Sequence, residues 1–149
     1  MPGVRKHKTL PYPAKDIYDL VMDIDKYPIF LPWCKNAKIC DVSSKNNLCA
    51  DLLINFKGFL KKYRSNVDHD FKDGIYKIDV NAISGPFKRL HNHWKISKID
   101  DNNCDVEFYI DFEFDSKILT KLIGVIFERA NEKVMGAFEQ RAKDLSTKI

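Results

Sequence analysis

Apolar residues along this chain change period twice. Ile17, Leu20, Val21 and Ile24 follow one another at i, i+3, i+4 and i+7, the stripe of an amphipathic helix. Pro13 suits the first turn of that helix. Pro28 limits its end, because the residue before a proline avoids the α region. Ile29-Phe30-Leu31-Pro32-Trp33 is a bulky apolar knot and reads as a second short helix or lid. From Ile39 to Phe114 the period becomes two. Ala50, Leu52, Ile54 and Phe56 share one face, opposite Asp51 and Asn55. Tyr63, Ser65, Val67, His69 and Phe71 form the next alternation. Tyr76, Ile78, Val80 and Ala82 follow the Asp73-Gly74 turn signal. Leu90, Asn92, Trp94 and Ile96 lie opposite His91, His93 and Lys95. Val106, Phe108, Ile110, Phe112 and Phe114 lie opposite Glu107, Tyr109, Asp111 and Glu113. Short loops between such runs predict an antiparallel meander with one wet face.

Past Phe114 the period returns to that of a helix. Leu119, Leu122, Ile123, Ile126, Phe127, Ala130, Val134, Ala137, Phe138, Arg141 and Leu145 make one stripe over roughly residues 117–145, with Ser116 as its N-cap. At the α-helical rise such a helix is about 40 Å long, enough to cross a sheet. Residues 4–10 alternate as well, and read as an edge strand, although neither face is apolar. The order is therefore strand, two short helices, a run of strands and one long helix. This is an α+β arrangement in which one sheet face and one helix stripe must bury each other. A curved sheet on a long helix can enclose a gap, which periodicity does not reveal.

The 149 residues argue for a single domain, 1–149. No window reaches the ~18 apolar residues of a membrane-spanning helix, and the charged Met1–His7 segment has no apolar stretch after it. A cytoplasmic protein is the expectation. The net charge of +4 permits contact with anionic lipid or RNA without demanding it. Lys57, Lys61, Lys62, Arg64, Lys88, Arg89, Lys95 and Lys98 make the outer sheet surface basic in places. No RNP-like aromatic motif or Gly-rich phosphate loop accompanies them, and contact with DNA is not expected.

The four cysteines, Cys34, Cys40, Cys49 and Cys104, form no C-x-x-C pair and read as reduced. His91 and His93 share a strand face, but no third ligand stands at useful spacing, so no metal site is expected. Glu107, Asp111 and Glu113 face water and read as cross-strand partners of Lys95 and its neighbours, not as an acid–base pair.

The segment from Ile17 to Cys34, with its Asp23-Ile24-Asp25-Lys26-Tyr27-Pro28 centre, resembles the signature of the coenzyme Q-binding and RatA-type branch of the START-like, polyketide cyclase/dehydrase superfamily. Gly85-Pro86-Phe87-Lys88-Arg89-Leu90 with Trp94 is similar to that family's central strand motif. Phe112 to Ser116, Phe127-Glu128 and Ala137 to Ala142 are similar to its last strand and helix. The resemblance implies a helix-grip (START / Bet v 1-like) fold: a seven-stranded antiparallel sheet wrapped around the C-terminal helix, with two short helices after the first strand. It implies ubiquinone binding in support of respiratory electron transport. The alternative it carries is association with the large ribosomal subunit, blocking subunit joining.

On that footing the inward stripes are the candidate ligand site: Leu52, Ile54, Phe56, Val67, Ile78, Val80, Leu90, Trp94, Phe108, Ile110, Phe112, Ile123 and Phe127, with Asn92 and His69 able to orient a polar head. Pro28, Phe30, Leu31, Pro32 and Trp33 are the candidate lid, with aromatic rings suited to a peripheral contact at the inner face of a membrane. No catalytic residue and no required cofactor are expected. The expected ligand is ubiquinone or a similar polyprenyl lipid. A cyclase-like enzyme is a minor alternative, disfavoured by the apolar interior.

Overall fold

The computed structural model describes residues 4–31, 34–56, 59–118, 121 and 127–146, without the side chains of 4, 56, 59, 127–131 and 146. Strand β1 (Val4–Leu10) leads into helix α1 (Ala14–Met22), a 3₁₀ turn (Ile24–Lys26) and a one-turn helix α2 (Tyr27–Phe30). Six strands follow: β2 (Cys34–Ser44), β3 (Asn47–Phe56), β4 (Phe59–Lys72), β5 (Ile75–Ser84), β6 (Phe87–Asp100) and β7 (Asn103–Phe114). Helix α3 (Phe127–Ser146) closes the described chain, and residues 117, 118 and 121 are also helical. The predicted stretch around Leu119, Leu122, Ile123 and Ile126 lies outside the described residues. Pro28 does not end α1, as its position suggests. It stands in the first turn of α2, where its missing N–H costs nothing.

The sheet has the order β1-β7-β6-β5-β4-β3-β2, with every neighbour antiparallel. Two turns show why the strands reverse where they do. Asp73 and Gly74 both take positive φ, 54° and 79°, as a two-residue hairpin turn requires. Gly85, at φ 126°, comes so close to β4 that an added Cβ would lie 2.5 Å from the Tyr63 Cβ. Only glycine fits there.

The register also explains β1. Lys6 and Lys8 pair with Phe108 and Val106, so they stand on the inward side of the sheet. Their ammonium groups reach Glu132 (3.6 Å) and Glu139 of α3, which are seven residues apart on one helix face. The edge strand thus meets the helix through charge instead of an apolar stripe.

The core lies between the inner sheet face and the helices. Ala14, Ile17, Leu20 and Val21 of α1 are buried against Leu10, Trp94, Ile96 and Val106, with Met135, Phe138 and Ala142 of α3. Those three, at i, i+3 and i+7, define the buried line of α3. Of the predicted stripe, Phe138 is on this line, Val134 and Ala137 flank it, and Leu145 is exposed.

The reading of four reduced cysteines is corrected. Cys40 and Cys49 are joined by a disulfide between β2 and β3, while Cys34 and Cys104 are free. A register irregularity between the pairs Ile39–Ala50 and Asp41–Cys49 leaves the two Cα atoms 5.6 Å apart, within the span of a disulfide. Spacing along the chain carries no sign of that register.

Candidate functional site

The register aligns the predicted inward residues in cross-sheet rows. Val67 faces Val80, which faces Asn92, which faces Ile110; Ile78 faces Trp94, which faces Phe108. Alternation along each strand therefore puts the described strand residues of the predicted set on one face. That face divides into two ends.

One end is closed. Val67, Ile78, Trp94, Ile96, Val106 and Phe108 are each no more than 3% exposed. The Trp94 ring meets Phe108 at 4.7 Å and Phe138 at 4.9 Å between centroids. The space left among Trp94, Val106, Phe138 and the α1 stripe is about 10 Å³. That is barely room for one water molecule.

The other end lies toward the β3–β4 and β5–β6 hairpins. There Leu52, Ile54, Val80 and Ile110 point inward yet are only half-buried. Beside them Leu90 and Phe112 are buried in a second cluster with Phe114, Tyr63, Ala82 and Phe87. Phe87 stacks on Phe114 at 4.9 Å and meets Tyr63 edge-on at 5.1 Å. Of the remaining predicted ligand residues, the side chains of Phe56 and Phe127, and Ile123 entirely, lie outside the described residues.

Polar groups are sparse on this face. By register the inward polar side chains apart from tyrosines, among the described residues of β3 to β7, are Ser65, His69 and Asn92, with Lys98 near one strand end and Lys61, expected on the outer surface, opposite Ile54. Asn92 donates to the Tyr109 carbonyl (2.9 Å) and accepts from the Trp94 indole N–H (3.1 Å). His69 Nδ1 lies 2.7 Å from the Tyr18 hydroxyl of α1. Burial pushes the His69 imidazole below its ordinary pKa and the Tyr18 phenol above its own. At pH 7 the pair is therefore a protonated phenol hydrogen-bonded to a neutral imidazole. Both predicted head-orienting residues are thus already partnered. Burial raises the Cys34 and Cys104 thiols to about 11, which makes either a poor nucleophile at neutral pH.

The predicted lid is docked. The Tyr27 hydroxyl donates to the Val21 carbonyl. Tyr27 and Phe30 both pack edge-on against Phe138, at 5.6 and 5.2 Å, and the Arg141 guanidinium stands 5.6 Å over the Phe30 ring. Pro28, Phe30 and Leu31 are half-buried, and Ile29 is 66% exposed. Pro32 and Trp33 lie outside the described residues.

A groove of about 320 Å³, absent from the sequence reading, runs between α1 and the end of α3. Asp16, Asp19 and Asp23 edge it, over Ile17, Leu20 and Ala142. The packing of α1 against the end of α3 creates it.

The outer face is a lattice of ion pairs. Arg64 holds Asp51 through two bonds of 2.8 and 3.0 Å, which keeps that carboxyl below the usual carboxylate range. Arg89 bridges Asp111 and Glu113, Lys88 reaches Glu113 at 3.5 Å, and Lys95 stands opposite Glu107. Much of the predicted basic surface is therefore neutralised by neighbouring strands. His91 and His93 both reach Asp79 Oδ1, at 3.1 and 2.8 Å. Burial alone would raise the Asp79 carboxyl, but the two histidine hydrogen bonds outweigh it and hold it low. Among the described residues no group of three His, Cys, Asp or Glu is placed to hold a metal ion. Among them, too, no helix is long and apolar enough to cross a membrane.

A sheet gripping a helix, with an apolar inner face, meets its match in sequence. The profile of the family described as polyketide cyclase / dehydrase and lipid transport matches residues 10–139. The chain belongs to this family. The ribosome association toxin RatA of Rickettsia prowazekii is 45% identical over 141 residues, covering 93% of this chain and 94% of its own length. The mitochondrial coenzyme Q-binding protein coq10 of Schizosaccharomyces pombe is 26% identical over 141 residues, covering 93% of this chain and 85% of its own. The crystal structure of the Zhui aromatase/cyclase from a Streptomyces species superposes with a TM-score of 0.81, over 95% of this chain and 93% of its own. At 15% identity that likeness shows the helix-grip fold alone.

Proposed function

We propose that this member of the family is a binding module that takes up an apolar ligand at the open end of the inner sheet face and catalyses nothing. The observation that carries the reading is the half-burial of Leu52, Ile54, Val80 and Ile110 beside a centre, Val67, Ile78, Trp94 and Phe108, that is closed. Inward apolar side chains that keep accessible surface are what a hydrophobic ligand covers, at ~25 cal/mol per Å² before binding costs. The ligand class we assign is a polyprenyl quinone or similar lipid, with a role in respiratory electron transport. The family's lipid-transport description and the coenzyme Q-binding relative support it. No carboxylate stands on the inner face of β3 to β7 among the described residues, and Glu139 of α3, which borders the closed end, is held by Lys8; this supports a binder over a cyclase, which needs acid–base groups free to act inside. The test is organic extraction of the purified protein followed by mass spectrometry, before and after incubation with ubiquinone. A stoichiometric lipid supports the proposal. No lipid in either sample, under conditions that load a known quinone binder, removes it.

A second reading is favoured by the 45% identity to a ribosome association toxin. In it the protein contacts the large ribosomal subunit and hinders subunit joining. A surface already laced with carboxylates makes phosphate contact local and strongly salt-dependent. Cosedimentation with large subunits at low salt, lost at high salt, supports this reading, and no cosedimentation at low salt discards it.

A further inference from the structure

We infer that Ser65 is a ligand-contacting residue, its hydroxyl donating to a carbonyl oxygen on an otherwise apolar ligand. The inference rests on the ligand-binding reading above and deepens it.

Ser65 stands on the inner face of β4, between Tyr63 and Val67. It is 1% exposed, and among the described residues its Oγ has no hydrogen-bond partner. A buried hydroxyl left unpaired is costly, so such groups are rare and call for a partner. Two other polar groups of this face, Asn92 and His69, are already engaged by Tyr109, Trp94 and Tyr18. Among the described residues, the side chains paired across from Ser65 offer no partner. Its cross-strand neighbours are Ala50 on β3 and Ala82 on β5. Two alanines flanking a serine make a row of small side chains in a sheet otherwise filled by Leu, Ile, Val and aromatic rings. On the adjoining positions stand Leu52, opposite Tyr63, and Val80, opposite Val67, and both are half-buried. Ser65 is therefore at the boundary where the sealed end gives way to the open one. Rotation about χ1 moves its oxygen among three staggered positions without disturbing the strand. The hydroxyl suits a hydrogen-bond acceptor carried on apolar bulk, such as a quinone carbonyl. A pure hydrocarbon would leave it unmet.

The experiment uses the full chain, as wild type and as Ser65→Ala, with Ser65→Thr as the variant that keeps a hydroxyl. The probes are decyl-ubiquinone and a decylbenzene without carbonyl groups, titrated against intrinsic fluorescence. Thermal melts are recorded without ligand. Ser65→Ala is expected to weaken the quinone by about three- to tenfold. Decylbenzene affinity is expected to stay unchanged, Ser65→Thr to bind quinone like wild type, and the ligand-free Ser65→Ala protein to melt higher, because an orphaned hydroxyl has gone. Equal quinone affinity in Ser65→Ala and wild type overturns the assignment and leaves the apolar-ligand reading standing. So does a lower melting temperature for ligand-free Ser65→Ala, which would mean that the hydroxyl already has a partner. If wild type binds neither probe, the ligand-binding reading falls first and takes this one with it.

Discussion

The rings of Trp94 on β6 and Phe138 on α3 meet edge to face, 4.9 Å apart at 71°. Phe138 also receives Tyr27 and Phe30 from the docked turn. One aromatic cluster thus ties sheet, C-terminal helix and candidate lid together at the sealed end.

Removing either ring should be costly. Trp94→Ala and Phe138→Ala are each expected to lose about 3–5 kcal/mol in urea unfolding, the usual cost of truncating a buried aromatic. Because the two rings share contacts, the double variant should lose less than the sum. Strict additivity would show that the contact does not couple helix to sheet.

Gly85 and Gly74 offer a contrast in backbone chemistry. Both have positive φ, but only at Gly85 would a Cβ collide with β4. Gly74→Ala is expected to cost about 1 kcal/mol, the penalty for a left-handed residue. Gly85→Ala should cost clearly more, since Tyr63 and its strand must move. Thermal melts of the two variants decide it; equal losses would contradict the close approach.

His69 gives the fold a pH dependence near neutrality. Burial lowers its pKa from 6.5, against the opposing pull of Asp68 and Asp70. Below pH 6.5 the unfolded chain therefore takes up a proton that the folded protein resists. The stability tied to His69 is complete above pH 6.5. It is lost as pH falls from there, and the loss levels off below the folded-state pKa. Protonation makes both ring nitrogens donors, so that the Tyr18 oxygen can only accept from the ring. In denaturant titrations at pH 7.5 and 5.5, wild type should lose more stability than His69→Gln, in which that proton uptake is absent. Parallel losses would contradict it.

The alternation that places Leu52, Val67, Ile78, Val80, Trp94 and Ile110 on one face is legible residue by residue, because the side-chain period of a strand is two. The same rule does not say which part of that face is sealed. Val67 and Val80 are chemically identical and directly paired, yet one is buried and the other half-buried. Their difference is one of tertiary packing, which strand periodicity does not contain. Lys6 and Lys8 defeat an apolar-stripe reading of β1, because their partners Glu132 and Glu139 are far away in sequence. Met135 and Ala142 are missed for a related reason. Val134 and Met135 are both apolar neighbours, and only packing selects which one turns inward. The Cys40–Cys49 bond depends on a strand irregularity that no spacing announces.

Chain length is a sensitive probe of an apolar site. In a series of alkyl-substituted quinones, each added CH₂ that finds room should tighten binding by about 0.8 kcal/mol at most, roughly fourfold. The gain should stop at the length that fills the open end. A flat series from the shortest member would show that the tail stays in water.

The central claim is tested most directly by methyl NMR of the protein labelled at Ile, Leu and Val, titrated with decyl-ubiquinone. Leu52, Ile54, Val80 and Ile110 are predicted to shift saturably together, while Val67, Ile78 and Val106 at the sealed end stay in place. No saturable shift at the first four methyl-bearing residues, or shifts confined to the outer surface, would contradict the account.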